Sequence, residues 1–259
     1  MPIIKSGEAR IHYQLEGQSG SSVLVFSNSL GTNYSMWDPQ AREFRKKFRV
    51  LRHDTRGCGQ SSLTPGLYSI EQLAKDVLAL LDALDLDRVH FCGLSMGGMV
   101  GMWLGVNAPE RLNKLVLCNT AARIGTPETW NARIDAVQKN GMKSIASAVV
   151  ERWFSPAFRQ KAPATISNTQ KMLEESNPDG YSACCAAVRD FDFREQVSRI
   201  RGPALVIAGA LDPATPPADG RFLAHQIPGA RYVELNAAHL SNIEDQDRFN
   251  NEVAAFLNS

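Results

Sequence analysis

Gly93-Leu94-Ser95-Met96-Gly97 is the stretch from which the rest of the chain can be read. It follows Arg88-Val89-His90-Phe91-Cys92, which is apolar, β-branched and aromatic enough for a buried strand. It precedes Gly98 to Ala108, which reads as a helix stopped by Pro109. A serine on a strand-to-helix turn, with glycine two residues away on each side, has the arrangement of a nucleophile elbow. The turn is sharp, and the serine backbone is strained so that Oγ projects clear of the sheet. Side chains at the two flanking positions are expected to collide across the turn, which explains glycine at both.

Toward the N-terminus, Arg10–Glu16 alternates like an edge strand, and Ser22–Phe26 is a continuous apolar run suited to a central one. The latter ends in the polar loop Ser27–Thr32, and helical spacing follows over Tyr34–Phe44 with Trp37 as its large apolar residue. Arg49–His53 reads as the next strand and closes on the tight loop Asp54–Ser61, where Asp54 and Arg56 are expected to form a structural pair. Ile70–Leu84 is an amphipathic helix with Leu73, Val77, Leu80, Leu81 and Leu84 on one face.

Beyond the elbow, Leu112–Cys118 is a strand that ends in Asn119-Thr120-Ala121-Ala122. Strands and helices have alternated to this point, which predicts a parallel sheet covered on both faces. The rhythm then breaks. Helical patterns alone occupy roughly Glu128–Asn140, Met142–Trp153, Pro156–Ser176 and Asp179–Asp190. Alternation resumes with strands over Pro203–Ala208 and Ala230–Leu235, separated by a helix at Asp219–Gln226 and followed by a closing helix at Ile243–Leu257. The division this predicts is an α/β core of residues 1–121 and 196–259 carrying a helical cap of residues 122–195.

A chain of 259 residues can bury a sizeable core, and a net charge of +1 with interspersed signs gives no reason to expect nucleic acid or a charged membrane surface as a partner. No apolar run is long enough to span a bilayer, and the first residues lack a signal-peptide core. Five cysteines with no C-x-x-C spacing argue against a disulfide framework, and the adjacent Cys184 and Cys185 read as small buried apolar residues. The expected compartment is reducing cytoplasm. No cluster has metal-ligand spacing and no phosphate loop occurs, so neither a metal nor a cofactor is expected.

In open α/β sheets, functional groups collect at the carboxyl ends of the strands. Ser95, Asp212 after Pro203–Ala208, His239 after the last strand, and Asn28–Gly31 after Ser22–Phe26 all fall there. Ser95 needs a base to act as a nucleophile, His239 can take and return the proton, and Asp212 can orient the imidazole and stabilise its cation. The order Ser…Asp…His is one of the recurring orders of this triad. An oxyanion would need two backbone N–H donors, assigned to Met96 and Leu30. The other histidines fit less well. His12 and His90 lie within strands, His225 lies within a helix, and His53 precedes the nucleophile. Asp219 lies inside a helix rather than at a strand end.

Over its full length the chain resembles the α/β-hydrolases, and within them the 3-oxoadipate enol-lactonases of bacterial aromatic degradation. The resemblance is carried by Ser27-Asn28-Ser29-Leu30-Gly31-Thr32 with Trp37, by Gly93–Gly98, by the Asp54-Thr55-Arg56-Gly57 loop, and by Arg152-Trp153-Phe154-Ser155-Pro156. Many α/β-hydrolases have His-Gly where this chain has Asn28-Ser29. Cys58 departs from the aromatic residue or histidine common in its loop. The resemblance implies a mostly parallel eight-stranded sheet with helices on both faces and a helical cap. It also implies a small lactone substrate bearing a free carboxylate, opened through an acyl-enzyme on Ser95.

A buried carboxylate requires a cation or several donors. Arg133, Arg152 and Arg123 are the cap residues expected to supply one. Arg133 lies one helical turn after Trp130, and Trp153 can form an apolar wall. An esterase or C–C bond hydrolase would use the same triad under a different cap, and a ligand receptor could retain the triad without turnover. A haloalkane dehalogenase would need aspartate where Ser95 stands.

Overall fold

The protein is described by a computed structural model over residues 2–259. All seven strands read from the sequence are present within one or two residues, as β2 (Ala9–Glu16), β3 (Val23–Ser27), β4 (Arg49–His53), β5 (Val89–Leu94), β6 (Leu112–Cys118), β7 (Ala204–Gly209) and β8 (Arg231–Leu235). The eighth, β1 (Ile3–Ser6), pairs antiparallel with β2 at the sheet edge. It is four residues long and three of them keep contact with solvent, so its sequence lacks the apolar run of a buried strand.

The strand order is β1-β2-β4-β3-β5-β6-β7-β8. β2 is antiparallel to both neighbours, and the six strands from β4 to β8 in that order run parallel. β3, β5 and β7 are buried at every position, as strands covered on both faces must be. The helices of the core are α1 (Asp38–Phe44), α2 (Ile70–Ala83) and α3 (Met96–Asn107). Between β6 and β7 come α4 (Pro127–Asn140), α5 (Lys143–Trp153), α6 (Pro156–Lys161), α7 (Pro163–Glu174) and α8 (Pro178–Arg189). The chain closes with α9 (Pro217–Gln226), α10 (Ser241–Glu244) and α11 (Gln246–Asn258).

α3 is buried on nearly every side and uses glycine to lie close to the sheet. A Cβ on Gly101 would stand 3.1 Å from Leu115 and Phe91, and one on Gly105 would stand 3.2–3.3 Å from Leu115 and Ile200. Larger residues there would push the helix, and the serine at its start, away from β5 and β6. On the β3 side, Phe26 stacks on Trp37 with ring centres 4.6 Å apart, and Trp37 meets Phe249 of α11.

Several local expectations are corrected. Asp54 and Arg56 do not pair with each other. Asp54 accepts from His12 Nδ1 (2.8 Å) and from the N–H groups of Tyr34 and Gln60, whereas Arg56 reaches Asp76 on α2 through Nε (2.9 Å) and Nη2. The loop is thus fixed by a buried His12–Asp54 hydrogen bond and, separately, by the buried Arg56–Asp76 ion pair. The helix expected over Pro156–Ser176 is interrupted at Ala162, which leaves the helical region ahead of Pro163. The closing helix breaks at Asp245, also non-helical. Tyr34–Trp37 forms a 3₁₀ turn before α1.

The Asp54–Ser61 loop is also where α8 docks. A Cβ on Gly180 would overlap the carbonyl of Gly57, so the two backbones are in direct contact. Cys184 Sγ lies 4.0 Å from Cys58 Sγ, which gives the departure at Cys58 a packing role. All five cysteines are free and buried.

Candidate active site

The turn at Ser95 has φ 58° and ψ −115°, a strained conformation for a residue with a side chain. Its surroundings enforce it. Ser95 N–H donates to Cys118 O (2.9 Å), Thr120 Oγ1 donates to Ser95 O (2.7 Å), and Gly97 N–H donates to Asn28 O (3.0 Å). A Cβ on Gly93 would overlap the backbone of Gly97, the collision across the turn that the motif implies. Gly97 differs: its Cβ would strike the carbonyl of Ser27 on the neighbouring strand. The second glycine of the motif therefore brings the elbow against the Ser27–Thr32 loop.

That loop folds back on itself, with Thr32 N–H and Oγ1 both donating to Ser29 O. Gly31 adopts φ 79° and packs so closely on Leu173 and Tyr181 that a Cβ would stand 2.6 and 2.9 Å from them. Leu30 at its apex lines the same cavity as Ser95. Met96 is the first residue of α3, and its side chain is buried beneath the elbow rather than in that cavity. Among the described residues neither the Leu30 nor the Met96 N–H donates to a protein acceptor.

Asp212 and His239 meet through Oδ2 and Nδ1 at 2.8 Å, both almost wholly buried. The carboxylate is saturated with donors. Oδ1 accepts the N–H groups of Ala214 (2.8 Å) and Thr215 (3.1 Å), and Oδ2 also accepts Thr215 Oγ1 (2.7 Å) and Asn119 Nδ2 (3.0 Å). Burial alone would raise the Asp212 pKa, but the charge and hydrogen bond of His239, with Asn119 and Thr215, outweigh it and hold the group at about 2. Asp212 is thus an anion across the working pH range.

Ser95 and His239 line one cavity of about 270 Å³ together with Ser29, Leu30, Pro213 and Ala214 from the strand-end loops. The opposite wall comes from the helical segment after β6, including Ile124, Trp130, Arg133, Val149, Arg152, Trp153, Tyr181 and Val188. Trp130 is fixed by its indole N–H to Ile124 O (2.7 Å), and the Arg133 guanidinium lies over its ring, 4.8 Å from the centre. Partial desolvation lowers the pKa of Arg152, the like charge of Arg133 lowers it further, and Tyr181 opposes both. Arg123 is elsewhere: it is exposed and stands 3.6 Å from Asp192.

Four of the five histidines lie away from this cavity. His12 belongs to Asp54, burial lowers the pKa of His53 and of His90, and His225 ends α9. Two residues at the site escaped the sequence reading. Asn119, at the end of β6, donates to Asp212 and to Ala238 O (3.1 Å), and Thr215 donates to Asp212. Both follow from the strand-end rule that located Asp212, because each lies just beyond a parallel strand.

The profile of the α/β hydrolase fold matches residues 22–246. The chain is 43% identical to 3-oxoadipate enol-lactonase 2 of Acinetobacter baylyi over 250 residues, 96% of this chain and 94% of that one. It superposes with a TM-score of 0.98 on the crystal structure of the enol-lactonase from Burkholderia xenovorans LB400, at 44% identity and full coverage of both chains. A thermophilic esterase from Thermogutta terrifontis matches with a TM-score of 0.91 and 28% identity over 98% of this chain and 95% of that one. With the elbow, the sheet order and the strand-end groups in place, the chain belongs to the α/β-hydrolase family.

Proposed function

We propose that the protein hydrolyses 3-oxoadipate enol-lactone to 3-oxoadipate, with Ser95 as nucleophile, His239 as general base and acid, and Asp212 as its orienting anion. The observation that carries the substrate assignment is the placement of Arg133 and Arg152 on the wall of the cavity that holds Ser95 and His239. Two guanidinium groups beside Trp130 and Trp153 suit a substrate that is compact, partly apolar and anionic. The similarity to enol-lactonases over nearly the whole chain supports the same reading.

In this mechanism His239 removes the proton of Ser95 as Oγ attacks the lactone carbonyl. The oxyanion is held by the N–H groups of Leu30 and Met96. Collapse of the tetrahedral intermediate breaks the bond between the acyl carbon and the ring oxygen. The departing enol oxygen takes the proton from His239, and the enol tautomerises to the ketone. Water deprotonated by His239 then attacks the acyl-enzyme, and Ser95 leaves with the proton. An enol leaves more readily than an alkoxide, so protonation of the leaving group carries less of the barrier than in amide hydrolysis.

Residues 122–195 serve as the cap in this scheme. They furnish most of the cavity wall opposite the elbow and complete no strand of the sheet. The test is a comparison of kcat/KM for 3-oxoadipate enol-lactone, a neutral aryl ester and a ring-cleavage diketone. The lactone should be preferred by at least about tenfold, the discrimination that one charge-assisted contact supplies. Preference for the ester or the diketone would overturn the assignment.

A further inference from the structure

We propose that Glu244 is a positioning residue that locks the His239 loop to the substrate-facing wall. The inference rests on the reading of Ser95 and His239 as nucleophile and base. Glu244 lies on α10, outside the cavity, yet a single oxygen of its carboxylate accepts two backbone N–H groups from distant parts of the chain. One is Ala238 N–H (3.0 Å), immediately before His239. The other is Ser155 N–H (3.1 Å), two residues after Trp153. A third bond closes the ring: Leu240 N–H, immediately after His239, donates to Trp153 O (3.0 Å).

His239 is therefore held on both sides, before it by Glu244 and after it by the end of α5. The same two attachments fix Trp153, whose side chain lines the cavity next to Arg152. Ala238 and Ser155 are both buried, so their N–H groups have no water to turn to if the carboxylate is removed. A carboxylate accepts both donors with charge assistance, and it ties the base and the wall into one unit. His239 and Trp153 lie on segments more than 80 residues apart in the chain, and the Glu244 carboxylate bonds to both segments.

The experiment is steady-state kinetics of Glu244→Ala, Glu244→Asp and Glu244→Gln on two substrates, a neutral 4-nitrophenyl ester and the carboxylated lactone, with folding checked by circular dichroism. Glu244→Ala should lower kcat on both by roughly ten- to hundredfold, the scale of an ångström-level misplacement, and should raise KM only for the lactone. Glu244→Asp keeps the charge but is one methylene short of spanning both N–H groups, and should behave like Glu244→Ala. Glu244→Gln keeps an acceptor at full reach and should restore most of kcat.

Parental kcat in Glu244→Ala, or equal losses in Glu244→Gln and Glu244→Asp, would overturn the proposal. If Glu244→Ala does not fold, the contrast between Asp and Gln decides. The ester arm does not depend on the lactone assignment: a parent that turns over the ester but not the lactone refutes the substrate, and kcat on the ester still tests Glu244.

Discussion

Asn119 Nδ2 donates to Asp212 Oδ2 over 3.0 Å, and the same nitrogen reaches the carbonyl of Ala238. The end of β6 is thereby joined to the anion after β7 and to the loop that carries His239. Ser241 Oγ donates to Asn119 Oδ1 (2.6 Å), which fixes which way the amide faces. A hydrogen bond to a charged group contributes about 1.5–3 kcal/mol. Asn119→Ala is predicted to lower kcat by roughly tenfold or more with little change in KM, measured by steady-state hydrolysis. Unchanged kcat would show that Asp212 and His239 hold their geometry without it.

Asp212 is the more severe case. Asp212→Asn removes the negative charge beside the imidazole and disturbs its tautomer, and kcat should fall by roughly four powers of ten. The same variant makes a stability prediction. Folding lowers the pKa of Asp212 from 3.8 to about 2. The ionised carboxylate therefore stabilises the fold at every pH above about 4, and that contribution disappears as the pH falls through about 2. Its size at pH 7 is about 2 kcal/mol. Urea unfolding should show the parent more stable than Asp212→Asn at pH 7, with the gap narrowing at pH 3. A gap that is constant with pH would mean that the carboxylate is not preferentially ionised in the folded state.

Ser95→Ala should abolish turnover and leave the melting temperature within a few degrees of the parent. The strained backbone at position 95 is imposed by Gly93, Gly97 and the bonds to Cys118 and Thr120, none of which involves Oγ. A rate within tenfold of the parent would remove Ser95 from the nucleophile role.

The parallel sheet was legible because its strands are continuous apolar runs bounded by polar loops, and Ser95, Asp212 and His239 were legible because each follows such a run. β1 was not, since an exposed edge strand needs no apolar pattern. The partners of Asp54 and Arg56 were not legible either. Their side-chain partners His12 and Asp76 are 42 and 20 residues away in sequence, and only the packing of β2 and α2 brings them near. Glu244 shows the same limit more sharply. Its two N–H donors belong to segments whose contact no local pattern encodes. Among the arginines, helical spacing placed Arg133 beside Trp130 correctly, but the spacing alone could not separate Arg152, on the cavity wall, from Arg123, beside Asp192.

Arg133 carries the last prediction, on selectivity. Its guanidinium lies over Trp130, 4.8 Å from the ring centre, and Trp130 is itself pinned to Ile124 O, so the charge is held at one place on the cavity wall. A substrate carboxylate seated there gains a charge-assisted bond without first having to order the arginine, and the saved ordering entropy adds to the contact. A neutral ester gains neither. Arg133→Leu keeps an apolar side chain against Trp130 and removes only the charge, so kcat/KM for the carboxylated lactone should fall by roughly one to two powers of ten. The neutral ester should change by less than about threefold, within the spread expected for an unrelated surface substitution. Arg152→Leu tests the second cation in the same way. Because the two like charges oppose each other at the wall, removing either one relieves that repulsion, and the double variant should lose more than the sum of the single losses if both bind one carboxylate. Equal losses on lactone and ester in Arg133→Leu would assign the residue to the architecture of the wall and not to recognition of the anion.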